Sequence, residues 1–328
     1  MPDGLRQPSL VLSVDLDEWY HSRRWVDGRQ ARDVVDNREL FQRLYGSDRP
    51  AGEVIPPTRQ VLQLLRAHDV RATFFVLGEM AEYYPDLVRE IAGEGHEIAC
   101  HGLVHVDMTV LGEARFERQL VQAADRLEAL TGQRPVGYRA PNLVYAPWAT
   151  AILERCGFVY DSSVCPSRPI GGKYKGWAKA PGVPYHPSYD DVAKRGGSTL
   201  VELPLATFPG LRIAAGSSII TRMFGFHWSR IAIDAGLRGG TTGYYVHPWE
   251  FGERPAPEGH WLRNRIFLRR TGPWMSRALA RLLERHARRI VTAGAAARYF
   301  TGPPMDGCKE PSVDQSRPTP SASATRLM

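Results

Sequence analysis

Short apolar runs alternate along the chain with longer amphipathic stretches. Runs of strand character are Ser9–Val14, Ala72–Leu77, Glu97–Cys100, Gly137–Arg139, Phe158–Asp161, Leu200–Leu205 and Gly243–His247. Helical patterns lie between them. Pro57–His68 opens with proline and places Val61, Leu64 and Leu65 together, and Pro85–Ala92 follows the same logic. Glu113–Leu130 carries a stripe of Phe116, Leu120, Ala124, Leu127 and Leu130, and Pro147–Cys156 stops at Gly157. Trp274–Ala297 reads as one more helix, Arg-rich on one side and Leu/Ala-rich on the other, docked at the surface. Such alternation predicts an α/β fold with parallel strands, in an open sheet or a barrel. The barrel is favoured because polar residues end several runs: Asp15, Asp17, His101, His105, Arg139, Asp161 and His247 would converge on one mouth.

Two long irregular stretches, Tyr20–Ile55 and Pro166–Ser198, interrupt the pattern and read as lids or binding loops. From Gly302 to Met328 the chain is rich in Pro, Ser and Thr, the composition of a disordered tail. The expected organisation is one domain over residues 1–301 and a tail over 302–328, with no internal repeat.

Composition narrows the partners. The 328 residues, 43% hydrophobic, suffice for one large core. No run approaches the roughly 18 apolar residues of a membrane span. The opening MPDGLRQPSLVLSV lacks the apolar stretch and cleavage site of a secretory signal, so the expected location is cytoplasmic, with association at the inner membrane face as an option. The net charge of +7 reflects an arginine bias, and no nucleic-acid-binding motif accompanies it, which argues against nucleic acid as a partner. Four cysteines show no CxxC spacing or disulfide framework. Cys100 is a poor ligand candidate beside His101, because neighbours on a strand face opposite ways.

Candidate chemistry comes from combining motifs that are weak alone. His101 and His105 are four residues apart and can face one point, although unrelated core or surface histidines share that spacing. Asp15 and Asp17 end an apolar strand, where aspartate is disfavoured without a partner; an Asx-turn or helix cap is the simpler account. One Asp with two His makes a three-donor metal site with an open position, and the second Asp could take a proton from water there. Arg139 at a strand end could grip a carboxylate bidentately. His247, fixed by Pro248, could act as an acid or pack as a hydrogen-bonded core residue.

Together these segments resemble the polysaccharide deacetylase family, also known as the NodB-homology or carbohydrate esterase 4 group. SVDLDEW, HGLVH, GYRAP, YDSS and VHPWE follow the family's motif order, and TFFVLG, PDLVREIAGEGHEIACHG and WATAILERCGFVYDSS are similar to it. The resemblance spans Ser9 to Trp249, and the later helices resemble those of a subgroup from exopolysaccharide and exosortase gene clusters. It implies a single-domain, distorted (β/α)7 barrel. It also implies metal-dependent hydrolysis of a carbon–nitrogen bond other than a peptide, as in deacetylation of an N-acetylated sugar in a polysaccharide or its precursor. Residue by residue, it implies Asp15 as base and Asp17, His101 and His105 as ligands of a divalent ion, zinc foremost. Arg139 would orient Asp15, His247 would be the acid, and a backbone N–H near Tyr145 would serve the oxyanion. Rings for substrate stacking would come from Tyr145, Trp19 and Trp249, with Tyr20, Trp25 and Trp177 as further options.

The chain departs from the family in three places. Asp15-Leu16-Asp17 replaces adjacent aspartates, a spacing shared with a branch that includes peptidoglycan-deacetylase-like proteins and cyclic amide hydrolases. The alternative substrate is therefore a small non-sugar amide, cyclic imide or formamide. Glu18 could compete with Asp17 for the metal. The fourth motif lacks its second Asp and its Trp, leaving Asp161 as the candidate partner of His247.

The tail composition yields a direct expectation. Gly302–Met328 has too little apolar surface to offset the entropy of ordering it. Its removal should leave the melting temperature and activity unchanged within error, and a clear drop in melting temperature would show that it docks.

Overall fold

Strand β1 (Leu10–Leu16) is buried along its whole length, and its period-two alternation divides the interior into two cores. Leu10, Leu12, Val14 and Leu16 face the layer beneath the helices. Val11 instead joins Phe75, Ala99, Tyr160, Val201 and Leu203 in a core inside the barrel. Ser13 and Asp15 continue that inward row. Each fully buried Leu, Val or Phe contributes roughly 1.5–3 kcal/mol, so the two cores lock the register of β1 from both faces.

The computed structural model of the chain describes residues 8–22, 37–169, 177–253 and 268–300; Trp25 and the expected tail lie outside them. The other strands are β2 (Thr73–Val76), β3 (Glu97–Cys100), β4 (Gly137–Tyr138), β5 (Tyr160–Asp161), β6 (Val201–Glu202), β7 (Thr207–Phe208), β8 (Ile213–Ala214), β9 (Thr242–Val246) and β10 (Ile290–Val291). All but the antiparallel β7–β8 hairpin lie in one parallel sheet, in the order β10-β1-β2-β3-β4-β5-β6 with β9 on β1. Beyond β6 the chain runs on to Leu205, which bridges Gly243 of β9 in the parallel sense. The ends of the sheet therefore meet, giving the distorted (β/α) barrel in one domain. All seven strand runs expected from the sequence are present.

The helices are α1 (Arg38–Tyr45), α2 (Ile55–Ala67), α3 (Gly78–Tyr83), α4 (Pro85–Gly93), α5 (Met108–Leu111), α6 (Glu113–Thr131), α7 (Ala149–Arg155), α8 (Ser218–Phe224), α9 (Phe226–Gly239), α10 (Pro273–His286) and α11 (Ala293–Phe300). In α6, Phe116, Leu120, Ala123, Ala124 and Leu127 are buried, and Gly132 ends it in the left-handed conformation at φ 73°. Among the described residues no helix is long and apolar enough to cross a membrane.

Trp274–Ala297 is not the single helix its pattern suggested. The β-branched residues Ile290 and Val291 leave the helix because they pair with Leu10–Val11 at the edge of β1. The alanine-rich remainder, α11, enters the barrel floor through Ala293, Ala296 and Ala297. Its start is capped from the strands: Thr73 Oγ1 accepts the Ala293 N–H at 2.7 Å and Glu97 accepts that of Gly294 at 2.9 Å. The sequence reading also missed α8, α9 and the β7–β8 hairpin. Of the two expected loops, the first carries α1, and the described part of the second makes isolated bridges, Tyr185 to Glu202 and Pro187 to Arg195.

Gly137 on β4 shows how tightly the barrel interior is filled. A Cβ there would stand 1.9 Å from Cζ of Tyr160 on the neighbouring strand. Gly137→Ala should cost about 1–3 kcal/mol or more through overpacking, read by denaturant unfolding. A loss below about 0.5 kcal/mol would mean that the Tyr160 ring yields freely.

Candidate active site

The C-terminal ends of β1, β3, β4 and β9 gather the polar residues. Asp15 is the last inward residue of β1, and Asp17 lies just beyond it in a turn whose N–H donates to the Asp15 carbonyl at 2.8 Å. His101 follows β3 directly, and Gly102 turns the chain at φ 96° so that His105 comes back to the same point. The donor atoms of Asp17, His101 and His105 all lie within 4.8 Å of one another, and the three residues are buried. Nε2 of His101 is 3.9 Å from Asp17 Oδ1, and Nε2 of His105 is 3.3 Å from Oδ2.

This cluster fits a divalent cation. His101 donates its Nδ1–H to the Arg139 carbonyl at 2.7 Å, which leaves the Nε2 lone pair turned inward. Burial pushes the His101 imidazole down, toward the neutral form that binds metal. Asp17 Oδ1 is buried with no hydrogen-bond partner among the described residues. Burial alone would raise the Asp17 carboxyl, but His105, His101 and His21 outweigh it and hold the group well below the ordinary range. Two imidazoles and one carboxylate suit zinc and similar ions.

His21 and Glu79 belong to this site and were missed in the sequence. His21 sits four residues after Asp17, in the turn Trp19–Ser22. Its ring stacks on that of His105 at 5.3 Å, and its Nδ1 accepts the Glu18 N–H at 3.1 Å. Its Nε2 lies 3.2 Å from Glu79 Oε1, which also accepts the His105 N–H at 3.2 Å. The Asp17-to-His21 spacing was a usable signal; nothing local marked Glu79. Glu18, the expected competitor, turns away. Its Oε1 accepts Tyr84 Oη–H at 2.7 Å and the Val54 N–H at 3.3 Å, and burial raises its carboxyl to about 7.

Arg139 is fully buried and reaches Asp15, though by one N–H rather than a bidentate fork. Nη1 donates to Asp15 Oδ1 at 2.6 Å and to Ser13 Oγ at 2.8 Å. Nε and Nη2 instead donate to the carbonyl and hydroxyl of Ser162, each at 2.8 Å. The fork is shared between two sides of the barrel, which is why it cannot close on one carboxylate.

His247 follows Val246, which pairs with Val14, so it stands next to Asp15 in the register. Its partner is Glu250, not Asp161. Nδ1 of His247 is 3.3 Å from Glu250 Oε2, and Glu250 Oε1 accepts from Arg222 Nε at 2.8 Å. Asp161 is committed elsewhere: it accepts the Ser163 hydroxyl at 2.7 Å and the Ser163 N–H at 3.1 Å, and it stands opposite Glu202 of β6 in the register. Glu250 was overlooked because it lies three positions after His247, and only a short turn (Pro248–Phe251) folds it back.

The expected stacking rings are walls rather than platforms. Trp19 is buried and donates Nε1–H to Glu53 at 2.8 Å; Trp249 is buried and lies against the His247 ring at 5.6 Å. Both pack with Tyr20, Leu40, Phe41 and Ile219. The Tyr145 ring is buried with Oη 3.2 Å from Thr150 Oγ1, whereas its backbone N–H has no hydrogen-bond partner among the described residues. Trp177 packs against the outer core.

Comparison with known proteins adds two family matches. Residues 53–160 match the family model for polysaccharide deacetylase, and residues 162–291 match a domain of unknown function (DUF3473). The boundary falls at β5, inside the continuous sheet, so both regions build one barrel. Asp15 and Asp17 lie ahead of both. A peptidoglycan-N-acetylglucosamine deacetylase of Bacillus cereus is 38% identical over 84 residues, covering 26% of this chain and 30% of that protein. A chitooligosaccharide deacetylase of Rhizobium leguminosarum bv. trifolii is 36% identical over 98 residues, covering 30% and 44%. A peptidoglycan deacetylase-like protein of Gibberella zeae is 30% identical over 167 residues, covering 50% and 46%. The chain thus spans less than half the length of these relatives. Among solved structures, a candidate polysaccharide deacetylase from Mycobacterium smegmatis aligns at a TM-score of 0.58 and 20% identity, covering 95% of this chain and 97% of that one. The Puue allantoinase aligns at 0.58 and 18%, covering 92% of each. At these identities the likeness concerns the fold.

The Asp161–Glu202 pair makes a prediction about stability. Burial raises both carboxyls, and the Asp161 charge beside it raises Glu202 further. The folded state therefore holds a proton that the unfolded chain releases. The associated stability is complete below the ordinary carboxylate range and is lost as pH rises through the raised values. Glu202→Gln keeps a donor toward Asp161 without titrating, so its melting temperature should fall less than the wild type's between about pH 5 and about pH 8. Parallel pH profiles would remove the pair as the cause.

Proposed function

Residues 53–160 belong to the polysaccharide deacetylase family, and from that premise we propose that the chain is a metal-dependent amide hydrolase that removes the acetyl group from an N-acetylated sugar. The observation that carries this reading is the buried Asp15–Arg139 pair standing beside a separate Asp17–His101–His105 cluster. One aspartate is left free for proton transfer while the other is committed to the donor set.

Asp17, His101 and His105 would hold the ion, and zinc suits them. A bound ion would supply Lewis-acid chemistry there, of the kind that lowers the pKa of a water to about 7. Asp15, fixed by Arg139 and Ser13 Oγ, takes a proton as water adds to the acyl carbon. The Tyr145 N–H is available to the oxyanion. His247 gives a proton to the departing nitrogen as the carbon–nitrogen bond breaks, and the products are acetate and a free amine. Buried walls of Trp19, Tyr20, Phe41 and Trp249 favour a second reading, hydrolysis of a small non-sugar amide, cyclic imide or formamide, because such a site suits a compact substrate.

A screen for acetate and formate release across N-acetyl sugars, their oligomers and cyclic imides tests both. Acetate from the sugars is expected; release from imides or formamides alone would establish the second reading. Asp15→Asn should retain metal while turnover drops by about 100- to 10,000-fold. His101→Ala should lose metal by elemental analysis, and full metal content in that variant would remove His101 from the ligand set.

A further inference from the structure

We propose that Glu250, clamped by Arg222, is the positioning residue that fixes the tautomer and orientation of His247. This rests on the reading of His247 as the proton donor. Four groups converge on the Glu250 carboxylate, which is fully buried. Arg222 Nε donates to Oε1 at 2.8 Å, and the His247 backbone N–H donates to Oε2 at 3.0 Å. The Ser218 hydroxyl also donates to Oε2, and Nδ1 of His247 lies 3.3 Å from it. Burial alone would raise the Glu250 carboxyl, but Arg222, His247 and Ser218 outweigh it and hold it at about 2.

An ionised carboxylate only accepts hydrogen bonds, so the imidazole must present Nδ1–H to it. Nε2 is then the nitrogen left for substrate. The ring cannot swing away: Trp249 lies against one side at 5.6 Å and Tyr245 meets it edge-on at 5.3 Å. In the step itself, the Nε2–H bond of the imidazolium breaks and an N–H bond forms on the departing amine. The electron pair of the broken carbon–nitrogen bond takes up that proton. The neutral imidazole that remains keeps Nδ1–H on Glu250, so Nε2 is ready to be reprotonated. Arg222 acts at one remove. It comes from α8, and its Nη1 donates to the Arg269 carbonyl at 3.1 Å, so two segments outside the motif hold the carboxylate in place.

The test compares Glu250→Gln, Glu250→Asp and His247→Ala on an N-acetyl amide and on an activated aryl acetate, whose phenolate leaves without help. Glu250→Gln offers an N–H to Nδ1 and favours the wrong tautomer. Its kcat on the amide should fall by on the order of 100-fold or more, as when the carboxylate of a catalytic triad is replaced by its amide. KM and metal content should hold, and the ester rate should stay within about tenfold. Glu250→Asp should recover part of the amide rate. Because Glu250→Gln leaves the buried Arg222 guanidinium without its carboxylate, the double variant Arg222→Gln/Glu250→Gln is measured too, and should show the same amide-specific loss. Nitrogen NMR shifts of the His247 ring should report Nδ1–H in the wild type and Nε2–H in Glu250→Gln. Equal loss on both substrates, a rise in KM alone, or an unchanged tautomer would overturn the proposal. If His247→Ala itself spares amide turnover, the reading of His247 as donor fails. If His247→Ala is crippled and Glu250→Gln is not, only the role of Glu250 fails.

Discussion

The guanidinium of Arg139 lies inside the barrel with no exposure, and the arrangement of the mouth depends on it. Burying such an ion costs several kcal/mol unless its donors are met. Here Asp15, Ser13 and both oxygens of Ser162 accept from it, and the rings of Phe75 and Tyr245 lie 4.1 and 5.0 Å from its central carbon. The side chain thereby ties β1 to the segment after β5, across the barrel. The backbone carbonyl of the same residue accepts from His101 Nδ1. One residue orients both the candidate base and a candidate metal ligand, so their relative placement does not rest on a flexible loop.

Around this residue the interior is layered. The floor is apolar and filled by small and aromatic side chains, Ala293, Ala296 and Ala297 against Val11, Phe75 and Tyr160. The upper layer holds the charged groups, each with a defined partner: Arg139 with Asp15, Arg222 with Glu250, Asp161 with Glu202. An aromatic wall of Trp19, Tyr20, Phe41 and Trp249 stands beside it. Burial of these side chains strengthens the electrostatic contacts in such a layer and penalises any that is lost.

Much of this was legible in the sequence because the barrel strands obey simple alternation. In β1 the same pattern that buries Leu12 and Val14 under the helices turns Ser13 and Asp15 inward. The clustering of Asp17, His101 and His105 was legible for a similar reason, since Gly102 between the two histidines permits the turn. What escaped were contacts fixed by tertiary structure. Ile290–Val291 is too short to interrupt a helical pattern on its own; only the open edge of β1 makes it a strand. Asp161 looked like the partner of His247 because both end strands. Glu202, adjacent to Asp161 in the register, claims it first. Glu79 reaches the site from α3, and no local pattern distinguishes it from a surface acid.

The position of β1 has a consequence for how the chain acquires its structure. Its neighbours are β2, β9 and β10, and Leu10 pairs with both Thr242 and Ile290. During synthesis, this apolar strand, made before the other described strands, therefore has one edge unsatisfied until nearly all of the described chain has emerged. Pairing at such sequence separation is slow, because loop-closure entropy is spent before the contacts form. An exposed strand edge is also a template for association with other chains. A truncated chain that keeps β1 and residues 53–160 but lacks β9 would leave that edge open, whatever its family resemblance. Folding competence is thus a property of β1 and the two family-matched regions together, just as the motifs are spread over all three.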